Sequence, residues 1–157
     1  MAFQKKIRNN YDRKIPTHDY LKYWRVIRHW AKVTYGLGVP DLDMMFFLYS
    51  EQIFSKDKFK EFQTIMVWDV NRFDRLLRDG WIGVWRKREK KKKTLYELSY
   101  KGKRAIEQIY RKLNGEEISE RNPMFLASGS YTDKVYRNMI IKMNESIRQQ
   151  QRQTPKE

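Results

Sequence analysis

The sequence predicts a mainly α-helical fold that carries one small β-hairpin, with helices flanking it at both ends. Three observations predict it. Apolar residues recur at helical spacing through most of the chain. One stretch, TLYELSY at 94–100, switches to period two. Just before it stands RKREKKKK at 86–93, seven basic residues in eight, between runs rich in Trp and Tyr. A chain of 157 residues fits one domain, since domains hold about 100–200 residues. Hydrophobic residues at 40% and aromatics at 15% supply a single core and exclude global disorder.

The elements follow in order. Residues 1–16 are polar and basic and end at Pro16, which predicts a flexible arm. A first helix starts at Thr17 or Asp19 as N-cap and stops at Gly36. It carries two apolar stripes, one through Tyr20, Trp24, Ile27, Ala31 and Thr34, the other through Tyr23, Val26, Trp30 and Val33. Such a wide apolar arc needs protein on two sides: its own core, and either a second subunit or the C-terminal helix of the same chain. Pro40 in a first turn, with Asp41 and Asp43 near the positive end of the dipole, opens a second helix through Leu42, Met45, Phe46, Leu48 and Tyr49. Ser55 caps a short third helix with Phe59 and Phe62 three apart.

A fourth helix, 68–79, ends at Gly80. Its periodicity puts Met66, Val70, Phe73 and Leu77 on an inner face and Trp68, Asn71, Arg72, Arg75 and Asp79 on an outer one. Trp81, Ile82, Val84 and Trp85 then read as a strand. The alternation of Leu95, Glu97 and Ser99 against Tyr96, Leu98 and Tyr100 reads as its partner, so 86–93 becomes the projecting tip of a hairpin. Lys101 and Gly102 start a fifth helix through Ala105, Ile106, Ile109, Tyr110 and Leu113, which stops at Asn114 and Gly115. A linker at 115–130 follows, with Met124, Phe125 and Leu126 expected to pin onto the core. Ser130 or Thr132 caps a last helix, 131–150, in which Tyr136, Ile140, Met143 and Ile147 recur at helical spacing. Residues 151–157 are expected to fray.

Charge narrows the function. Lys and Arg number 34 against 19 Asp and Glu, a formal net charge of +15, and such a field favours polyanions. A membrane surface is the rival partner, yet the longest apolar run, 44–49, is far short of the roughly 18 residues that suggest a spanning helix. The basic N-terminus is not followed by the apolar core of a signal peptide, so a cytoplasmic protein is expected. Cys is absent, which removes disulfides, thiolate zinc sites and cysteine nucleophiles. His18 and His29 stand eleven apart, about 16 Å along a helix, too far to share a metal. No phosphate-binding glycine loop, HExxH or serine elbow is present. Neither catalysis nor a cofactor is expected.

Three helices, a hairpin with a basic tip and another helix is the order of a winged helix-turn-helix, whose second helix-turn-helix helix enters the major groove while the wing reaches phosphates or the minor groove. The residues FDRLLRDGWI, then a charged hairpin, then YELSYKGKRAIEQIY resemble the MarR-type winged-helix regulators. Leu77, Asp79, Gly80 and Ile82 match the phrase that ends the family's recognition helix. Tyr96, Leu98, Ser99, Lys101 and Gly102 match the phrase after its wing. The resemblance covers roughly 17–113. It implies a winged-helix domain at 17–114, a homodimer held by the first and last helices, a recognition helix at 68–79 and a wing tip at 86–93. Two departures bear on operator-like sequence specificity: Val67 and Trp68 replace the usual small polar residues at the start of the recognition helix, and a lysine run replaces the wing's aspartate-arginine pair.

The expected contacts to double-stranded DNA are therefore Trp68, Asn71, Arg72 and Arg75 on the helix, and Arg86, Lys87, Arg88, Lys90, Lys91, Lys92 and Lys93 on the wing. Arg and Asn make bidentate bonds to guanine and adenine edges, whereas the lysines supply affinity without base preference. The bland reading of the helix is a solvated charged face, and that of Trp68 is packing on the preceding turn. The expected function is a dimeric transcriptional regulator; the alternative is an architectural or virion-associated DNA binder of low sequence specificity. KREKKKK also resembles a nuclear import signal, but its place between two strands favours DNA contact. The resemblance implies a small-molecule effector pocket that Trp24, Trp30 and Tyr35 would line, and core packing is their default role.

Overall fold

A computed structural model describes residues 20–65, 69–121 and 130–153. The fold is mainly helical with one small antiparallel sheet: α1 (Tyr20–Tyr35), α2 (Val39–Glu51), β1 (Ile53–Phe54), α3 (Lys56–Phe62), α4 (Val70–Arg78), β2 (Ile82–Arg86), β3 (Leu95–Leu98), α5 (Tyr100–Leu113) and α6 (Tyr131–Gln153). The expected caps Thr17 and Asp19, the arm at 1–16, the linker residues Met124, Phe125 and Leu126, and Met66, Val67 and Trp68 lie outside the described residues.

The helix ends follow local chemistry. Gly36 sits at φ +74 and donates its N–H to the Lys32 carbonyl at 2.9 Å, closing α1 in a conformation that glycine adopts without steric cost. α2 starts after Gly38, with Pro40 in its first turn. Ser55, Asp69 and Ser99 cap α3, α4 and α5 by accepting the N–H groups of Lys58, Arg72 and Gly102. The Ser130 hydroxyl accepts from the Asp133 N–H at 3.2 Å at the start of α6, so of the two expected caps it is Ser130 that serves.

The sheet runs in the order β1-β3-β2. Ile53 and Phe54 face Glu97 and Tyr96, while Ile82, Gly83 and Val84 face Leu98, Glu97 and Tyr96. The alternation of β3 stops at Leu98: Ser99 becomes the cap of α5, and Tyr100, already helical, is exposed. Phe73 of α4 ties the sheet to two helices, with its ring edge-on to Tyr96 at 5.1 Å and to Phe54 at 6.1 Å, and tilted against Phe59 of α3 at 5.4 Å. Aromatic pairs in such geometry contribute about 0.5–1.5 kcal/mol each beyond their burial.

α5 crosses behind, packed on α1 and α2. Trp30, Tyr35 and Trp81 form an edge-to-face chain between α1 and the start of β2. Of the two occupants expected for the second face of α1, the chain's own α6 is found on it, with His29 stacked on Tyr136 at 3.8 Å. Ile140, Met143 and Ile147 are buried as their spacing predicts.

Candidate functional site

The lysine-rich segment is the tip of the hairpin. Glu89 and Lys92 exchange both backbone hydrogen bonds, at 3.2 and 2.8 Å, so Lys90 and Lys91 form the turn itself. Lys90 lies at φ +50. Lys87, Arg88, Lys90, Lys91, Lys92 and Lys93 are all exposed, and Arg86 is half-buried at the root, donating to the Lys93 carbonyl at 3.4 Å. A short cationic finger is the result. Apart from Lys93, its cations are exposed to solvent and repel one another, which favours an anionic partner.

One ion pair fastens the finger to α3, and a second ties α3 to α4. Lys93 forms an ion pair with Asp57 in the first turn of α3, and the hydrogen-bonded ammonium holds the Asp57 carboxyl below its ordinary range. Next to Asp57, Lys56 pairs with Asp74 of α4 at 3.0 Å and lies over the rings of Phe73 and Tyr96. The N-terminus of α3 therefore sits between the hairpin and α4, and a cleft there is lined by Lys56, Asp57, Arg88, Lys93, Thr94 and Tyr96.

α4 is placed differently from its periodicity. Phe73 and Leu76 are its buried residues; Val70 is exposed in the first turn, and Leu77 is partly buried. The buried stripe therefore runs through Phe73 and Leu76, with Leu77 at its edge, and α4 begins at Val70 after the Asp69 cap. Asn71, Arg78 and Asp79 are exposed. Arg72 and Arg75 are not free: both bind one oxygen of Asp41 on α2, at 2.7 and 2.6 Å. Their side chains keep 21% and 45% exposure, against 9% for Asp41. The other oxygen of Asp41 accepts the Gly38 N–H at 3.3 Å. Asp41 is more than a helix-dipole charge: it clamps two arginines 31 and 34 residues further along the chain. No local pattern signals that pairing, since it exists only once α2 and α4 meet.

The residues that carried the family resemblance form a structural seam. Gly80, at φ +84, closes α4 and turns the chain into β2. The Ser99 N–H donates to the Trp81 carbonyl at 3.0 Å, and the Ser99 hydroxyl lies within bonding distance of the Gly80 and Trp81 carbonyls. Lys101 reaches the Asp79 carbonyl at 3.2 Å and lies 3.9 Å from the centre of the Trp81 ring. A Cβ on Gly102 would fall 2.5 Å from the Trp81 oxygen, so only glycine lets α5 approach so closely. Leu77, Gly80, Ser99, Lys101 and Gly102 thus join the helix to the hairpin and set where the hairpin leaves the body.

Sequence reasoning missed three further features. Asn144, buried on α6, accepts the Ile118 N–H at 3.0 Å and donates to its carbonyl at 2.9 Å, pinning the segment after α5 onto α6. Arg148 adds an ion pair to Glu117 at 2.6 Å. In β2 the ladder slips between Val84, opposite Tyr96, and Arg86, opposite Leu95, which leaves Trp85 as the extra residue of a bulge. Trp30 is buried in the core, and Trp24 and Tyr35 pack against it through ring contacts, in line with core packing as their default role. Among the described residues there is no cluster of His, Asp or Glu able to hold a metal ion, and no helix is long and apolar enough to cross a membrane. Comparison of the chain with protein-family models, with curated proteins and with solved structures found no match.

Proposed function

We propose that the protein binds double-stranded DNA as a winged helix, with the hairpin 86–93 as the wing and α4 lying against the major groove. The observation that carries this reading is the exposed cationic finger fastened through Asp57 and Lys56 to the helix beside it. Three further features support it: the helix-strand-helix-helix-hairpin order from α2 to β3, the β1-β3-β2 sheet and the net charge of +15. Phosphate contacts from Lys87, Arg88, Lys90, Lys91 and Lys92 supply affinity and orientation, while Lys93 stays on Asp57. On α4, Asn71 and Arg78 are exposed and available to base edges. Exposed apolar side chains on α1 (Leu21) and α6 (Tyr131, Val135, Ile141) support pairing of two copies through these helices, as a MarR-like dimeric regulator requires.

A second reading, an architectural binder of low sequence specificity, is favoured by the Asp41 clamp. With Arg72 and Arg75 held on a carboxylate, α4 offers few side chains for base readout, and affinity shifts to the lysines, which do not read sequence. Selection of bound duplexes from a random pool separates the two. A dimeric regulator enriches a short palindrome with half-sites about one helical turn apart. An architectural binder retains duplex without enriching a motif. Failure to retain any duplex at low salt overturns both.

A further inference from the structure

The hairpin carries an apolar feature that its charge conceals. Along β2, Ile82 is buried, yet Val84 and Trp85 are both about half exposed, at 47% and 49%. Strict period-two alternation would leave one of two neighbours covered. The bulge breaks that alternation: Trp85 has no residue opposite it in β3. Bulges kink a strand and re-aim side chains, and they recur next to functional sites. Of the four tryptophans among the described residues, Trp24, Trp30 and Trp81 lie within the core or against it, and only Trp85 is exposed. Exposing an indole forgoes a large burial gain, and here it stands directly before Arg86, Lys87 and Arg88.

We propose that Trp85, flanked by Val84, is an aromatic contact to the nucleic acid, stacking on or wedging into a base step while the lysine tip holds the adjacent phosphates. The inference rests on the DNA-binding reading above and names the chemistry of that same site. An aromatic or apolar wedge beside cations is the combination that unstacks a base step in minor-groove binding, and one ring suffices to stack on a base. An anionic membrane surface is the other polyanion to which an indole and cations could bind. Interfacial anchoring scales with the apolar area inserted, and one Trp with one Val on a strand offers little area.

The test uses the full chain with Trp85→Ala, Trp85→Phe and a variant with Lys90, Lys91 and Lys92 changed to Gln. Binding is measured on a fluorescent duplex across a salt series, and in parallel on a duplex carrying 2-aminopurine, which brightens when its step is unstacked. Trp85→Ala is expected to weaken binding about tenfold at every salt concentration, with an unchanged salt slope because no charge is lost, and to abolish the brightening. Trp85→Phe restores most of both. A merely structural Trp85 would lower the melting temperature and leave the brightening intact. If Trp85→Ala binds and brightens like the wild type while the Lys-to-Gln variant loses affinity, the aromatic contact is wrong and the DNA-binding reading stands. If the wild type ignores duplex but binds vesicles of anionic lipid in a Trp85-dependent way, both are overturned in favour of a membrane surface.

Discussion

Asp41 shows how one side chain can decide the role of two others. Its carboxylate holds Arg72, Arg75 and the Gly38 N–H together, and charge-assisted bonds of this kind contribute about 1.5–3 kcal/mol when partly shielded. Asp41→Ala is expected to lower the unfolding free energy by about 2 kcal/mol in urea titration, since it leaves two arginines facing each other without their anion. Arg72→Ala is expected to act on stability in the same direction and, under the proposed function, to weaken retention of duplex less than loss of the lysine tip. Lys90 is a second decisive residue, because its φ of +50 is a region that side chains with a Cβ enter at a cost. Lys90→Gly relieves that cost but loosens the unfolded chain, so its stability should stay within about 0.5 kcal/mol of the wild type. Lys90→Val should lose about 1–2 kcal/mol by the same measurement. Both leave one fewer cation at the tip.

Elements meet here through a few long-range polar contacts laid over an aromatic core. The junction of α1 and α6 includes His29 stacked on Tyr136. Burial pushes the His29 imidazole below its ordinary value of 6.5, opposed by Asp133 and reinforced by Lys32. A histidine with a lowered folded-state value is protonated more readily in the unfolded chain, so stability rises with pH through the window just below 6.5 and falls as the solution is acidified through it. His29→Phe is expected to flatten that part of the stability profile, measured as melting temperature against pH. Much at this scale was legible in the sequence. Ser55 and Ser130 cap as expected, Gly36 ends α1, and period two marks β3 up to Leu98. These features rest on near neighbours. The Asn144–Ile118 pairing and the bulge at Trp85 were not legible, since each depends on which backbone happens to lie alongside.

For the whole molecule, the excess of cations makes a single quantitative expectation. If about six phosphates are neutralised, log K falls with log salt at a slope near −5, and replacing Lys90, Lys91 and Lys92 by Gln brings it to about −2.5. Fluorescence anisotropy across a salt series measures both slopes; equal slopes for the two proteins would remove the tip from the interface. Charge, aromatic content and hydrophobic period, all properties of the chain itself, determined that this protein is a mainly helical body with a cationic hairpin. They are sums over residues or patterns among near neighbours, and folding does not alter them. Which cations stay available was decided only by tertiary structure. Arg72 and Arg75 meet Asp41, Lys93 meets Asp57, and Trp85 is left outside the ladder because separate helices and strands come within a few ångströms of one another, and no spacing along the chain encodes that proximity.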